Sequence, residues 1–270
     1  MINLAKNIFY HLKTELSTLP NFFQKNIFLN DDEKDKFIFL KKNNYLNNEK
    51  KLNKEMVIKA NNLITKNIQE NDKSVFIKKH LVHKILYLDN FEFLINEIVD
   101  EKMINLISNY FKSKKISISD IDMRRVLPIS KNDIEDIDKS NNEWHKDIRG
   151  KQLKLMIYLS DVSATDSYFS IIKSSSISRT YNFKKSRIKE KNIDIDKEKK
   201  FLANKGAHFL FDTNLIHKLN RSENAKIRDT LTIYFKPGEY SRNFFYDIEN
   251  IAKLNSNLRN LIKMQHLNIK

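Results

Sequence analysis

The chain has 270 residues and a formal net charge of +15, with 49 basic against 34 acidic side chains, three glycines, three prolines and no cysteine. That length can bury one sizeable core, so a single domain is expected, and the missing cysteine excludes disulfides, thiolate nucleophiles, zinc-thiolate sites and iron-sulfur clusters. The positive charge invites a nucleic-acid reading, but basic runs such as Lys184-Lys185-Ser186-Arg187 are interrupted, and abundant Lys, Asn and Ile beside scarce Gly and Pro read as compositional bias.

In chain order, Leu4, Ile8, Leu12 and Leu16 recur every four residues, which predicts an amphipathic helix from Met1 to Leu19, stopped at Pro20. Lys6, His11, Lys13 and Glu15 break any signal-peptide core, and no run approaches the roughly 18 apolar residues a membrane span requires. A cytoplasmic location is therefore expected, with no membrane partner. Asn30 to Lys36 reads as a polar connection and Phe37 to Leu40 as a short strand, although so short a run does not separate strand from helix. Leu52, Met56, Leu63, Ile64 and Ile68 predict a helix over 48–70, with a break at Asn71 to Ser74. Helical spacing continues over Val75 to Leu88 and Phe91 to Phe111, with Asp89 or Asn90 as a cap for the latter. Residues 1–112 thus form a mostly helical accessory region. His80 and His83 share a helix face in this reading, yet no third ligand accompanies them; with His11, His208 and His266 they are assigned to packing or surface.

At Ile116 the apolar period changes from about four to two, marking the start of a β core over 113–240. Alternation sends Arg124 and Arg125 to opposite faces, so that one of them either enters a pocket, towards a cosubstrate or an acidic substrate, or makes only a surface salt bridge. Asp133 to Asn142 is an acidic lip before Glu143-Trp144-His145-Lys146-Asp147. On extended backbone His145 and Asp147, at i and i+2, point to one side, a spacing that grips a metal. A third ligand is available in His217, where the apolar run from Phe209 ends in an Asp212-Thr213-Asn214 turn. Two histidines and one carboxylate make a facial triad, which leaves three adjacent positions for a chelating oxo-acid and O₂ on non-haem Fe(II). The strand over 152–159 places Leu153, Leu155, Ile157 and Leu159 on one face and Gln152, Lys154, Met156 and Tyr158 on the other, so Tyr158 either meets a cosubstrate or packs. Lys184 to Lys200 is a charged loop over the pocket. The strand from Arg228 to Phe235 turns Arg228, Thr230, Thr232 and Tyr234 inward; Pro237-Gly238 ends it, and helical spacing over 243–268 gives a C-terminal tail packing on the core or on a second subunit.

Trp144-His145-x-Asp147, the distant His217 and Arg228 eleven residues beyond it together resemble the phytanoyl-CoA dioxygenase family of Fe(II)/2-oxoglutarate oxygenases, over residues 120 to 240. The chain departs from the family's Gly-Ser-His turn, carrying Lys173-Ser174-Ser175-Ser176 there, so a different loop path is expected. The resemblance implies an α+β protein with a double-stranded β-helix (jelly-roll, cupin-like) core, a helical N-terminal region and a helical C-terminal tail. It implies that His145, Asp147 and His217 bind Fe(II), that Arg228 pairs with the far carboxylate of 2-oxoglutarate beside Thr230 and Tyr158, and that O₂ hydroxylates a small-molecule substrate with release of succinate and CO₂. Halogenating relatives replace the carboxylate with a small residue, so Asp147 favours hydroxylation over halogenation; desaturation and ring chemistry stay open, as does the oligomeric state. Arg124 and Lys146 suggest an anionic substrate. Two other classes remain: a metal-binding jelly roll without turnover, and a basic nucleic-acid-binding protein whose affinity is steeply salt-dependent.

Overall fold

The computed structural model describes residues 29–48, 51–70, 75–78, 82–85, 92–113, 116–129, 143–147, 151–175 and 187–238. The helices predicted over Met1 to Leu19 and 243–268, the lip at 133–142 and the capping residues Asp89 and Asn90 lie outside them. Among the described residues four α-helices, α1 (Asp31–Asn43), α2 (Lys54–Gln69), α3 (Glu92–Ile98) and α4 (Glu101–Phe111), accompany ten strands: β1 (Tyr45–Asn48), β2 (Val75–Lys78), β3 (Val82–Ile85), β4 (Ile116–Val126), β5 (Leu153–Tyr158), β6 (Phe169–Ile172), β7 (Glu198–Phe201), β8 (His208–Asp212), β9 (His217–Leu219) and β10 (Arg228–Pro237).

Three expectations are corrected. Phe37 to Leu40 is helical, inside α1, because Asn30 and Glu33 form a reciprocal capping box and the helix carries acids in its first turn and Lys41 and Lys42 in its last. The residues taken for a polar connection are its first half. Within the helix expected over Val75 to Leu88, the described residues 75–78 and 82–85 are strands: β2 and β3 pair antiparallel, and β3 pairs with β4. Their Val and Ile content suits strands, and the pairing uses the open hydrogen bonds along β4. The expected helix over Phe91 to Phe111 is two helices, with Asp100 capping the second through Met103 N–H.

The strands form an antiparallel seven-stranded sheet, β1-β8-β5-β10-β4-β3-β2, and a three-stranded sheet, β7-β6-β9. Three strands of the N-terminal region thus belong to the large sheet, one at one edge and two at the other. Alternation along β5 does what the pattern predicts. Leu153, Leu155, Ile157 and Leu159 join Leu231 and Ile233 of β10 in a core that is covered by Val57, Ala60 and Ile64 of α2 and by Leu106, Ile107 and Phe111 of α4. Tyr158 and Met156 face the other way, into a second core between the sheets. There the aromatic rings of β6, β7 and β8 lock the layers together, Phe201 stacking on Phe209 at 4.0 Å and Phe169 lying 4.7 Å from Phe211. This is the double-stranded β-helix: two facing antiparallel sheets with an apolar plug at one end, and a row of polar inner-face residues on β4, β5 and β10. Among the described residues no helix is long and apolar enough to cross a membrane.

Candidate active site

His145 and His217 face one another through a two-residue antiparallel bridge, His145 N–H donating to His217 C=O at 3.0 Å and His217 N–H to His145 C=O at 2.9 Å. Directly opposed residues share a face, so the rings meet at a centroid distance of 4.3 Å. Two residues on, Asp147 returns to that face, its N–H held by Thr213 C=O at 3.1 Å in the turn before His217. Among the described residues these three are the set whose ligand atoms all lie within 4.8 Å of one another. Asp147 Oδ1 sits 3.9 Å from His145 Nε2 and 3.8 Å from His217 Nε2.

Protonation follows from the neighbours. The Nδ1 of His145 lies 2.8 Å from Glu143 C=O and that of His217 2.8 Å from Leu215 C=O. A carbonyl only accepts, so both Nδ1 atoms carry the proton and both Nε2 atoms present lone pairs inward, the tautomer of a metal ligand. Burial, then the charge of His145, pushes His217 down to about 3, and burial lowers His145 as well. Burial alone would raise Asp147; the charges of Lys154, His217 and His145 outweigh it and hold the carboxyl well below the usual range. Two neutral imidazoles and one carboxylate are therefore ready to ligate at neutral pH.

Arg228 begins β10 opposite Val126 of β4, with Thr230 beyond it between Tyr158 of β5 and Arg124 of β4. It is 4% exposed, and its Nε and Nη1 have no hydrogen-bond partner. Burial lowers its pKa to about 10 despite the Tyr158 phenol beside it. A buried guanidinium with idle donors is costly in isolation and is suited to a bidentate carboxylate. Tyr158 is fully buried among Phe209 and its neighbours, and its hydroxyl donates to Phe201 C=O at 2.9 Å, so it packs while its ring flanks Arg228.

Arg124 points to the inner face. There it is clamped by Asp122 through Nε at 2.9 Å and Nη2 at 2.8 Å, and Nη2 also donates to the Tyr234 hydroxyl. Arg125 goes to the opposite face, binding Asp229 and Thr65 of α2, as alternation requires. Lys146 is buried and donates to Ser175 C=O at 2.6 Å. His83 lies on β3 across from Arg125.

Of the Lys173-Ser174-Ser175-Ser176 stretch, residues 173–175 are described. Ser174 adopts φ +59°, the left-handed turn a glycine takes without strain. Ser175 then secures the loop by donating to Ile172 C=O at 2.7 Å and accepting from Ile216 N–H at 2.8 Å, next to His217. Sequence reasoning missed Lys154, whose Nζ lies 2.5 Å from Asp147 Oδ2, and Asp122, the counter-ion of Arg124. Both were visible as charged residues on inward faces of strands.

No protein-family model matches the chain, and no curated protein is similar to it in sequence. Solved structures are. HygX from Streptomyces hygroscopicus, with nickel, 2-oxoglutarate and hygromycin B bound, superposes with a TM-score of 0.57 at 10% identity, covering 84% of this chain and 94% of that one. EctD from S. alaskensis, in its apoform, gives 0.61 at 11% identity over 78% and 80% of the two chains. SnoN, a non-heme alpha-ketoglutarate-dependent epimerase from nogalamycin biosynthesis, gives 0.58 at 8% identity over 76% and 81%. At these identities the likeness is one of fold.

Proposed function

We propose that this protein is an Fe(II)- and 2-oxoglutarate-dependent oxygenase of the phytanoyl-CoA dioxygenase type that hydroxylates a small molecule. One observation carries the reading: two lone-pair-bearing Nε2 atoms and one carboxylate oxygen converge on a point, and β10 carries a buried arginine with idle donors. That is the donor set for a metal with open positions beside an anchor for a distal carboxylate. Structures of this fold hold nickel with 2-oxoglutarate, which supports the same occupant here.

In this reading His145 and His217 bind the metal through Nε2, their rings oriented by the carbonyls of Glu143 and Leu215. Asp147 binds through Oδ1. When bound, Fe(II) with 2-oxoglutarate supplies the redox chemistry: O₂ is consumed, 2-oxoglutarate loses CO₂ to become succinate, and a substrate C–H becomes C–OH. Arg228 receives the far carboxylate in two charge-assisted bonds, and the rings of Phe209, Phe211 and Phe169 close the apolar end of the cavity to water. Thr230 lies on the cosubstrate wall. Arg124, with a 28% exposed side chain at the inner face, is the side chain through which an anionic substrate would be recognised.

The test is succinate formation from 2-oxoglutarate in air with Fe(II), first without and then with candidate substrates. Wild type is expected to release succinate slowly alone and faster with substrate, and His145→Ala to release none. Equal succinate from wild type and His145→Ala would remove the oxygenase reading and leave a binding protein.

A further inference from the structure

The two oxygens of Asp147 have different neighbours. Oδ1 faces both imidazole Nε2 atoms, whereas Oδ2 accepts from the Lys154 ammonium at 2.5 Å. Lys154 is itself held in place. It projects from the inner face of β5 opposite Tyr234 of β10, with its Nζ 5.0 Å over the Tyr234 ring. The Tyr234 hydroxyl donates to Asp122 Oδ2 at 2.8 Å, and Asp122 is clamped by Arg124. The Lys154 side chain is only 14% exposed, so a buried ammonium has one anionic partner to satisfy it and little room to leave.

We propose that Lys154 is a positioning residue that restricts Asp147 to ligation through one oxygen and so keeps three metal positions open. This rests on the oxygenase reading above. Carboxylates bind divalent ions through one oxygen or both. Ligation through both Asp147 oxygens would occupy a fourth of six positions, leaving two for a chelating oxo-acid and none for O₂. The charge-assisted bond to Oδ2 withdraws that oxygen from competition. Its cost is electrostatic: the ammonium repels the bound cation, so affinity for metal is exchanged for open positions.

The experiment counts water molecules on Mn(II) in the full-length protein, first without cosubstrate and then with 2-oxoglutarate, by pulsed magnetic resonance in ¹⁷O-labelled water, with Mn(II) affinity measured alongside. Without cosubstrate wild type is expected to hold three waters. Lys154→Met and Lys154→Gln are expected to hold two, to bind Mn(II) several-fold more tightly, and to keep no water once 2-oxoglutarate is bound, where wild type keeps one. Lys154→Gln retains a neutral donor and guards against a Met variant that fails to fold. A folded variant that keeps three waters and wild-type Mn(II) affinity overturns the assignment of Lys154 alone. Wild type that binds no Mn(II) overturns the metal-site reading and this assignment with it.

Discussion

Replacing Arg228 with Met separates the cost of the cosubstrate anchor from its use. In the structure its Nε and Nη1 are buried without partners. Each unsatisfied buried donor costs about 1–3 kcal/mol, so the two together burden the fold by about 2–6 kcal/mol. Methionine keeps much of the apolar stem and deletes both donors, while the favourable contact with Tyr158 is lost at about 1 kcal/mol. The net expectation for Arg228→Met is a gain of about 1–5 kcal/mol, which in a chain of this size raises Tm by about 2–20 °C. Affinity moves the opposite way: losing a bidentate charge-assisted contact worth about 3–5 kcal/mol weakens 2-oxoglutarate binding by about 10²–10⁴-fold. Calorimetric unfolding of the metal-free protein and titration of the Mn(II)-loaded protein with 2-oxoglutarate read the two effects separately. A variant that is less stable than wild type and binds 2-oxoglutarate equally well would refute the reasoning, since Arg228 would then be structural.

Ser174→Gly removes a side chain from a left-handed position that costs an L-residue about 1–2 kcal/mol; after the added chain entropy of glycine, a stabilisation of about 0.5–1 kcal/mol is expected in urea unfolding. Ser175→Ala strips Ile216 N–H of its acceptor and Ile172 C=O of a donor, for a loss of about 1–3 kcal/mol, and loosens His217, so Mn(II) affinity falls with Tm. Acid sensitivity follows from His217, whose folded pKa of about 3 lies below its ordinary 6.5. Between those values the unfolded chain binds a proton the folded chain refuses, so stability of the metal-free protein is flat above about pH 6.5 and falls as pH drops toward about 3. Asp147, held below its usual range, adds to the loss at the acid end. Urea midpoints across pH 3–8 are expected to show this slope in wild type and a shallower one in His217→Gln.

The ligands were legible because their spacing survives translation into structure: i and i+2 on extended chain put His145 and Asp147 on one side, and the turn after β8 sets His217 opposite His145. The faces of β5 and β10 were legible for the same reason. What was not legible depended on signals of other kinds. The first helix hid in a polar stretch because its start is marked by a capping pair, Asn30 and Glu33, rather than by apolar period. β2 and β3 were lost because a short apolar spacing fits either period, and the second partner of β3, β4, is about 40 residues away in sequence, beyond any local pattern. Lys146 and Lys154 look alike in sequence. Only the fold shows that one is turned to Ser175 and the other to the metal carboxylate.

Anaerobic addition of Fe(II) and then 2-oxoglutarate, followed by visible absorption, tests the central claim most directly, because a chelated oxo-acid on Fe(II) gives a weak charge-transfer band that neither partner shows alone. Wild type is expected to develop the band, His217→Ala to lose it, and Arg228→Ala to need far more 2-oxoglutarate to reach it. A folded wild type that develops no band at saturating Fe(II) and 2-oxoglutarate would contradict the account.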